Sequence, residues 1–295
     1  MRILIVFLCV CWALFMQAQS RYALTVGISD YSSYDKGTLW SNINGANDSY
    51  LLEKDLSKFG FEVCALLDGK ATYKNIVSAM DNMIQRAKAG DMVFLHFSCH
   101  GQPIEDLDQD EADGWDEALI PVDAKLEYVK RVYEGECHLT DDVLNGYTQR
   151  LREKLGEKGC LYVVVDACHA GKMERGFLDF TDTLAVRGVD RGFSFTGKAY
   201  KSFKINRNDY FEVKDMQGSA DVFFLEACRS HEVNKEISVE GTAYGPLSYY
   251  IHKVLSECRQ DPFRHTGWIK KVKKCMKEDV RLKNQHMVVE SSVPF

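Results

Sequence analysis

The stretch that decides the fold is Cys160-Leu161-Tyr162-Val163-Val164-Val165-Asp166-Ala167-Cys168-His169-Ala170-Gly171. Its first six residues are apolar without a break, and three of them are β-branched. A strand with no polar alternation is covered on both faces, which is the signature of a parallel sheet between two helix layers. A second run, Met92-Val93-Phe94-Leu95-His96-Phe97, is nearly continuous in the same way, broken only by His96. It too leads into polar chemistry, at Ser98-Cys99-His100-Gly101.

Working outward, strand and helix patterns alternate. Tyr22–Ile28 is a short apolar strand. Asn44–Phe59 has helical spacing (Ala46, Leu51, Leu52, Leu56) and stops at Gly60. Phe61–Leu67 reads as a strand, and Thr72 caps a helix through Ala89. Thr140 caps another to Leu155, and Val222–Ala227 is a further buried strand. Pro246–Cys258 and Thr266–Lys277 are helical. The order predicts a three-layer α/β sandwich with a mainly parallel central sheet, whose site lies beyond the carboxyl ends of the strands. Residues 102–132, rich in acids, and 172–218, rich in Gly, Phe and basic residues, read as long loops.

The 295 residues are 45% hydrophobic, enough for one substantial core, and 27% charged with a net charge of −6. No basic stripe marks a nucleic-acid surface. Residues 1–18 have a basic start, an apolar stretch from Ile3 to Met16 and a small residue at Ala18. They are expected to be a signal peptide cut after Ala18, leaving one domain over 19–295 that is secreted or periplasmic and not membrane-inserted. The eight cysteines beyond it form no CxxC pair. Cys64, Cys160 and Cys228 lie in apolar runs and are expected to be small buried hydrophobes, and disulfides stay open for the rest.

Both chemical candidates stand just past apolar strands. If those strands are neighbours, His100 and Cys168 emerge at one edge of the sheet. A thiolate is a strong nucleophile, and an imidazole can take its proton and return it to a leaving amine. The N–H groups of Gly101 and Cys168 are then placed to hold an oxyanion. Singly, a His-Gly turn or a cysteine beside a strand is more often structural, and it is their pairing that carries the reading. Cys99 is expected to point away from the chemistry, His169 to bond within its turn, and His96 to be a satisfied core histidine.

Phe97-Ser98-Cys99-His100-Gly101 and Asp166-Ala167-Cys168-His169-Ala170-Gly171 resemble the two signatures of the caspase-like clan (peptidase C14). Within it they are most similar to type I metacaspases and bacterial caspase-like proteases, with Ala170 where the family has Ser. The acidic run Asp108–Glu117, the strand at Leu225–Cys228 and the helix after it follow in the family's order. The resemblance implies a cysteine endopeptidase with a His100–Cys168 dyad, cutting protein or peptide substrates after Arg or Lys. It places Asp48, Ser98 and Asp166 in the substrate pocket. Two carboxylates and a hydroxyl suit a guanidinium, and strand alternation puts Asp166 on the side of Cys168.

The resemblance also implies calcium as an activator, outside the chemistry itself, with Asp116, Asp141 and Asp142 as ligands. The family's fourth acid has no counterpart, since Arg175 stands near its place beside Glu174. Family members often cut themselves in the insertion, and residues 172–218 hold Lys172, Arg175, Arg187, Arg191, Lys198 and Lys201. A self-activated monomeric zymogen is therefore expected. The alternative is a catalytically silent, caspase-shaped binding module. No G-x-S-x-G elbow supports a serine hydrolase.

Overall fold

Alternating side chains of the central strands build two separate cores, one on each face of a single sheet. The computed structural model describes residues 19–35, 37, 39–109, 111, 113–168, 184–189, 191–201, 213 and 216–294. The predicted signal peptide and the residues His169–Gly171, Lys172, Glu174 and Arg175 lie outside that set.

In chain order the elements are β1 (Arg21–Gly27), α1 (Gly45–Lys58), β2 (Glu62–Leu67), α2 (Tyr73–Arg86), β3 (Met92–Ser98), β4 (His100–Glu105), β5 (Trp115–Ile120), β6 (Leu139–Thr140), α3 (Asp141–Leu155), β7 (Cys160–Val165) and β8 (Asp221–Glu226). A small hairpin of β9 (Ile237–Val239) and β10 (Thr242–Tyr244) follows, then α4 (Pro246–Ser256), α5 (Gly267–Glu278) and β11 (Val288–Ser291). The main sheet has the order β11-β8-β7-β3-β1-β2. All its neighbours are parallel except β11, which runs antiparallel to β8.

Leu95, Phe97, Val163, Val165 and Phe224 face one way and pack with Ile76 and Met80 of α2 and Leu151 and Leu155 of α3. Phe94, Tyr162, Val164, Phe223 and Leu225 face the other way, onto α1, α4 and α5. This explains why the strands read as continuous apolar runs, and the expected three-layer α/β class is the observed one. Thr72 and Thr140 cap α2 and α3, each accepting a backbone N–H three residues on.

Three expectations need correction. Residues 102–132 are not one long loop, because β4 and β5 form an antiparallel hairpin with the acids at its tip. Every residue of β4 is buried, so no alternation marks it, and Gly101 and Pro103 are poor strand formers. Cys64 is exposed and Cys160 only half-buried, since Cys64 sits on edge strand β2, paired only with β1. The helix expected to run through Ala89 ends at Arg86, with Ala87 extended. The short strands β9, β10 and β11 carry no periodicity long enough to read.

Phe94 is fully buried, with its ring edge-on to Phe61 and Phe263. Phe94→Ala is expected to cost about 3–5 kcal/mol in urea unfolding, and Thr72→Ala, which removes only a cap, about 1 kcal/mol. Equal losses would contradict this account of the core.

Candidate active site

The register of β3 against β7 sets the site. Phe97 lies opposite Val165, and the Asp166 N–H donates to the Phe97 carbonyl (2.8 Å). His100 and Cys168 therefore leave the sheet at neighbouring strand tips. His100 begins β4, and its backbone N–H donates to the Tyr31 hydroxyl (2.8 Å). Its ring stacks on Trp40 with centroids 5.0 Å apart. Nε2 is 2.9 Å from the Ser41 carbonyl oxygen. A carbonyl only accepts, so Nε2 carries the proton and Nδ1 keeps its lone pair. Nδ1 is buried with no hydrogen-bond partner. Burial pushes the His100 pKa down to about 4, although the Ser41 carbonyl pulls the other way. The imidazole is thus neutral and oriented by a backbone oxygen, where a carboxylate would serve in many dyads.

Cys168 is fully buried, and its thiol donates to the Glu232 carbonyl (3.0 Å). The N–H groups of Gly101 and Cys168, expected to form an oxyanion site, both donate to one atom, the Arg187 carbonyl oxygen (3.2 and 2.9 Å). Two N–H groups converging on a single oxygen are the geometry such a site needs.

The Arg187 side chain fills the expected pocket completely. Its Nη1 lies 2.8 Å from Asp48 and 3.8 Å from Asp166, and Nη2 lies 3.0 Å from Glu236. Nη1 also donates to Ser98 Oγ, which in turn donates to Asp48 (2.7 Å). All three carboxylates are buried. The remaining bonds hold them in place. Asp166 accepts from the Ser248 N–H and hydroxyl and from Asn234. Asp48 accepts from the Gly245 N–H, and Glu236 from Asn44. Gly245 has no room for a Cβ, which would collide with Asp166 and with Arg187 Nη1. Burial raises the Asp48 pKa to about 7 against the opposing pull of Arg187. Burial also works against the Arg187 charge, but Asp48, Asp166 and Glu236 outweigh it and hold its pKa above the ordinary value.

The sequence reading placed Asp48, Ser98 and Asp166 together, and the structure brings them to one guanidinium. It missed Glu236, Asn234 and the Ser41 carbonyl. Those groups sit in irregular segments with no pattern to point at them, and a backbone carbonyl has no sequence signal at all. Of the expected bystanders, Cys99 and His96 are described, and His169 lies outside the described residues. Cys99 is buried in the core that packs on α2 and α3, and burial pushes its pKa up to about 12. His96 bonds Ser248 through Nε2 (2.9 Å), but its Nδ1 is buried without a partner, so this core histidine is only half satisfied.

The expected metal ligands are not drawn together. Among the described residues no three His, Cys, Asp or Glu side chains converge as an ion would require. Asp141 is influenced by Glu117, Asp142 and Glu111, whereas Asp142 is influenced by Asp108 and Asp106. One Asp141 oxygen is nevertheless buried without a partner. Burial, then Glu117, raises the Asp141 carboxyl to about 7, and burial raises that of Glu117 to about 8. The acids thus suit a cation in charge but not in arrangement.

Comparison with known proteins shows which family the chain is similar to. Metacaspase-1 of Schizosaccharomyces pombe is 28% identical over 216 residues, covering 63% of this chain and 47% of that protein. Metacaspase-1 of Eremothecium gossypii is 29% identical over 287 residues, covering 83% and 59%. The chain thus spans about half the length of the curated relatives it matches. A crystallised protein of Geobacter sulfurreducens has the same fold, with a TM-score of 0.59 at 17% identity over 94% of this chain and 95% of its own. The family model of the caspase domain matches residues 20–293, and on that match the chain belongs to the caspase-domain family, peptidase C14.

Proposed function

We propose that this chain is a secreted, self-processing cysteine endopeptidase that cuts protein substrates after arginine or lysine, with Cys168 as nucleophile and His100 as base. The observation that carries the reading is the Arg187 guanidinium sealed among Asp48, Asp166 and Glu236 while its carbonyl oxygen sits on the N–H groups of Gly101 and Cys168. Three buried carboxylates need a buried cation, since leaving such charges unpaired costs several kcal/mol. An aspartate or an apolar residue in this pocket would leave them without one.

The chemistry follows from the side chains present. The thiol passes its proton to His100 Nδ1, and the Ser41 carbonyl steadies the imidazolium that forms. The thiolate attacks the carbonyl carbon after the basic residue. The Gly101 and Cys168 N–H groups hold the developing oxyanion, and His100 returns its proton to the leaving amine. Residues 1–18 act as the secretion signal in this reading, and the enzyme works as a monomer.

Calcium is proposed as an activator that takes no part in the bond-breaking steps. What supports it is the unpartnered oxygen of Asp141 beside acids of raised pKa. Hard oxygen ligands of this kind suit calcium, and its binding would require Asp116, Asp141 and Asp142 to draw closer.

Fluorogenic peptides ending in Arg, Lys or Asp test the reading. Arg and Lys peptides should be cut and Asp peptides not, and Cys168→Ala should abolish turnover. Asp166→Asn should lower kcat/KM for Arg peptides by about 100-fold or more, as expected for a broken buried ion pair. A wild type no faster than Cys168→Ala would instead indicate a binding module.

The pH dependence follows from Asp48, whose carboxyl titrates at about 7 with a guanidinium bound. Without that cation it titrates higher, so binding an Arg side chain releases a proton. The KM for Arg peptides should therefore fall as pH rises through and above 7, and Asp48→Asn should remove that limb.

Calcium should raise both the Tm and the turnover of the wild type, and Asp141→Asn should lose both responses. An unchanged Tm at millimolar calcium would remove calcium from the account.

A further inference from the structure

Residues 184–189 lie in the site as a bound substrate would. We infer that the bond from Arg187 to Gly188 is the first one this chain cuts, and that its preferred bond elsewhere is arginine followed by glycine. This rests on the arginine-directed peptidase reading, and adds where the cut falls and what must follow it.

The chain is clamped on both sides of one peptide bond. Upstream, the Arg187 N–H donates to the Asn234 carbonyl and the Glu236 N–H to the Ala185 carbonyl, each at 3.0 Å. Val186 stands antiparallel to Lys235. This is strand addition, the usual way a protein grips an extended peptide. Downstream, Gly188 bridges in parallel to Gly101. The Phe193 N–H then donates to the Pro103 carbonyl (2.7 Å), and the Glu105 N–H to the Phe193 carbonyl (2.9 Å). The buried Phe193 ring, packed on Tyr133 and His138, anchors that side.

Other described basic residues of the insertion are placed differently. Arg191 pairs with exposed Glu127, and Lys198 bonds the carbonyls of Asp113 and Gly114 at the surface.

Glycine after the cut is a matter of space. A Cβ on Gly188 would collide with the carbonyl oxygen of Cys168 and come within 3.1 Å of its Cβ. Backbone of the nucleophile's own residue cannot step aside, so a side chain here pushes the bond away from the thiol. The Cys168 Cβ stands beside the bond to be cut, and the thiol faces the Glu232 carbonyl.

Rotation about the Cα–Cβ bond carries Sγ from Glu232 to the Arg187 carbonyl carbon, as the proton passes to His100. The S–C bond forms, and the C–N bond to Gly188 breaks. His100 gives its proton to the Gly188 nitrogen. Water then hydrolyses the thioester, leaving an Arg187 carboxylate and a free Cys168 thiol. The Arg187 end is no longer tied to the Phe193 anchor, so it can leave the pocket to other substrates.

The full chain as expressed, with Cys168→Ala and Gly188→Val, is followed by intact mass and N-terminal sequencing. Wild type should split into two fragments, the second beginning at Gly188, at a first-order rate unchanged by tenfold dilution. Cys168→Ala should stay whole, and Gly188→Val should be cut at this bond about tenfold slower or worse. As a check independent of the folding of Gly188→Val, the peptide Ala-Val-Arg-Gly-Val should be cut about tenfold faster than Ala-Val-Arg-Val-Val. A chain that hydrolyses Arg peptides yet stays whole, or is cut only at another basic residue, overturns the inference and leaves the arginine reading standing. Equal rates on the two peptides overturn the glycine preference. A chain that does neither overturns both readings.

Discussion

Three carboxylates and one guanidinium, all without access to water, are the constraint around which the upper edge of this sheet is organised. Asp48 comes from α1, Asp166 from the end of β7, and Glu236 from just before β9. Each is held by donors from yet other segments, namely Ser98, Ser248, Asn234, Asn44 and the Gly245 N–H. Charges in a low-dielectric interior are tolerated only with good geometry and extensive hydrogen bonding, and here all three carboxylates are bonded while Arg187 Nε is left without a partner. The loops above the strands must therefore take positions that satisfy the pocket, and in doing so they also fix the neighbouring peptide groups of Gly101 and Cys168. Recognition of a basic side chain and stabilisation of an oxyanion are in this sense one structural problem with one solution.

The same constraint explains what could be read from the sequence. Cys160–Val165 and, apart from His96, Met92–Phe97 are apolar throughout because two helix layers cover them, and their polar successors lie at the strand tips for the same reason. His100, Cys168, Ser98 and Asp166 were legible because they follow those strands by one to three residues. Asp48 was legible only through family likeness, since an acid in the first turn of a helix is ordinary.

Glu236 and Asn234 were not legible. They sit between β8 and β9, where no period of two or 3.6 residues operates, and what gives them meaning is contact with residues far away in the chain. The β4–β5 hairpin was missed for a different reason. Burial along the whole of β4 erased the alternation by which an antiparallel strand is recognised, and its acidic tip has the composition of a loop. Asp141 and Asp142 are adjacent in α3, but helix geometry turns neighbours about 100° apart, so each meets a different set of acids.

The antiparallel strand β11 has a consequence for assembly. Val288–Ser291 pairs with Phe223–Glu226 and so covers the free margin of β8. An uncovered margin displays a row of unpaired peptide groups that invites a strand from another molecule. Here that row is filled from within the same chain, and what remains outermost is a four-residue strand carrying Glu290. Two copies meeting there would have little ladder to share and would bring like charges together, so growth of the sheet from one molecule into the next is discouraged on this side.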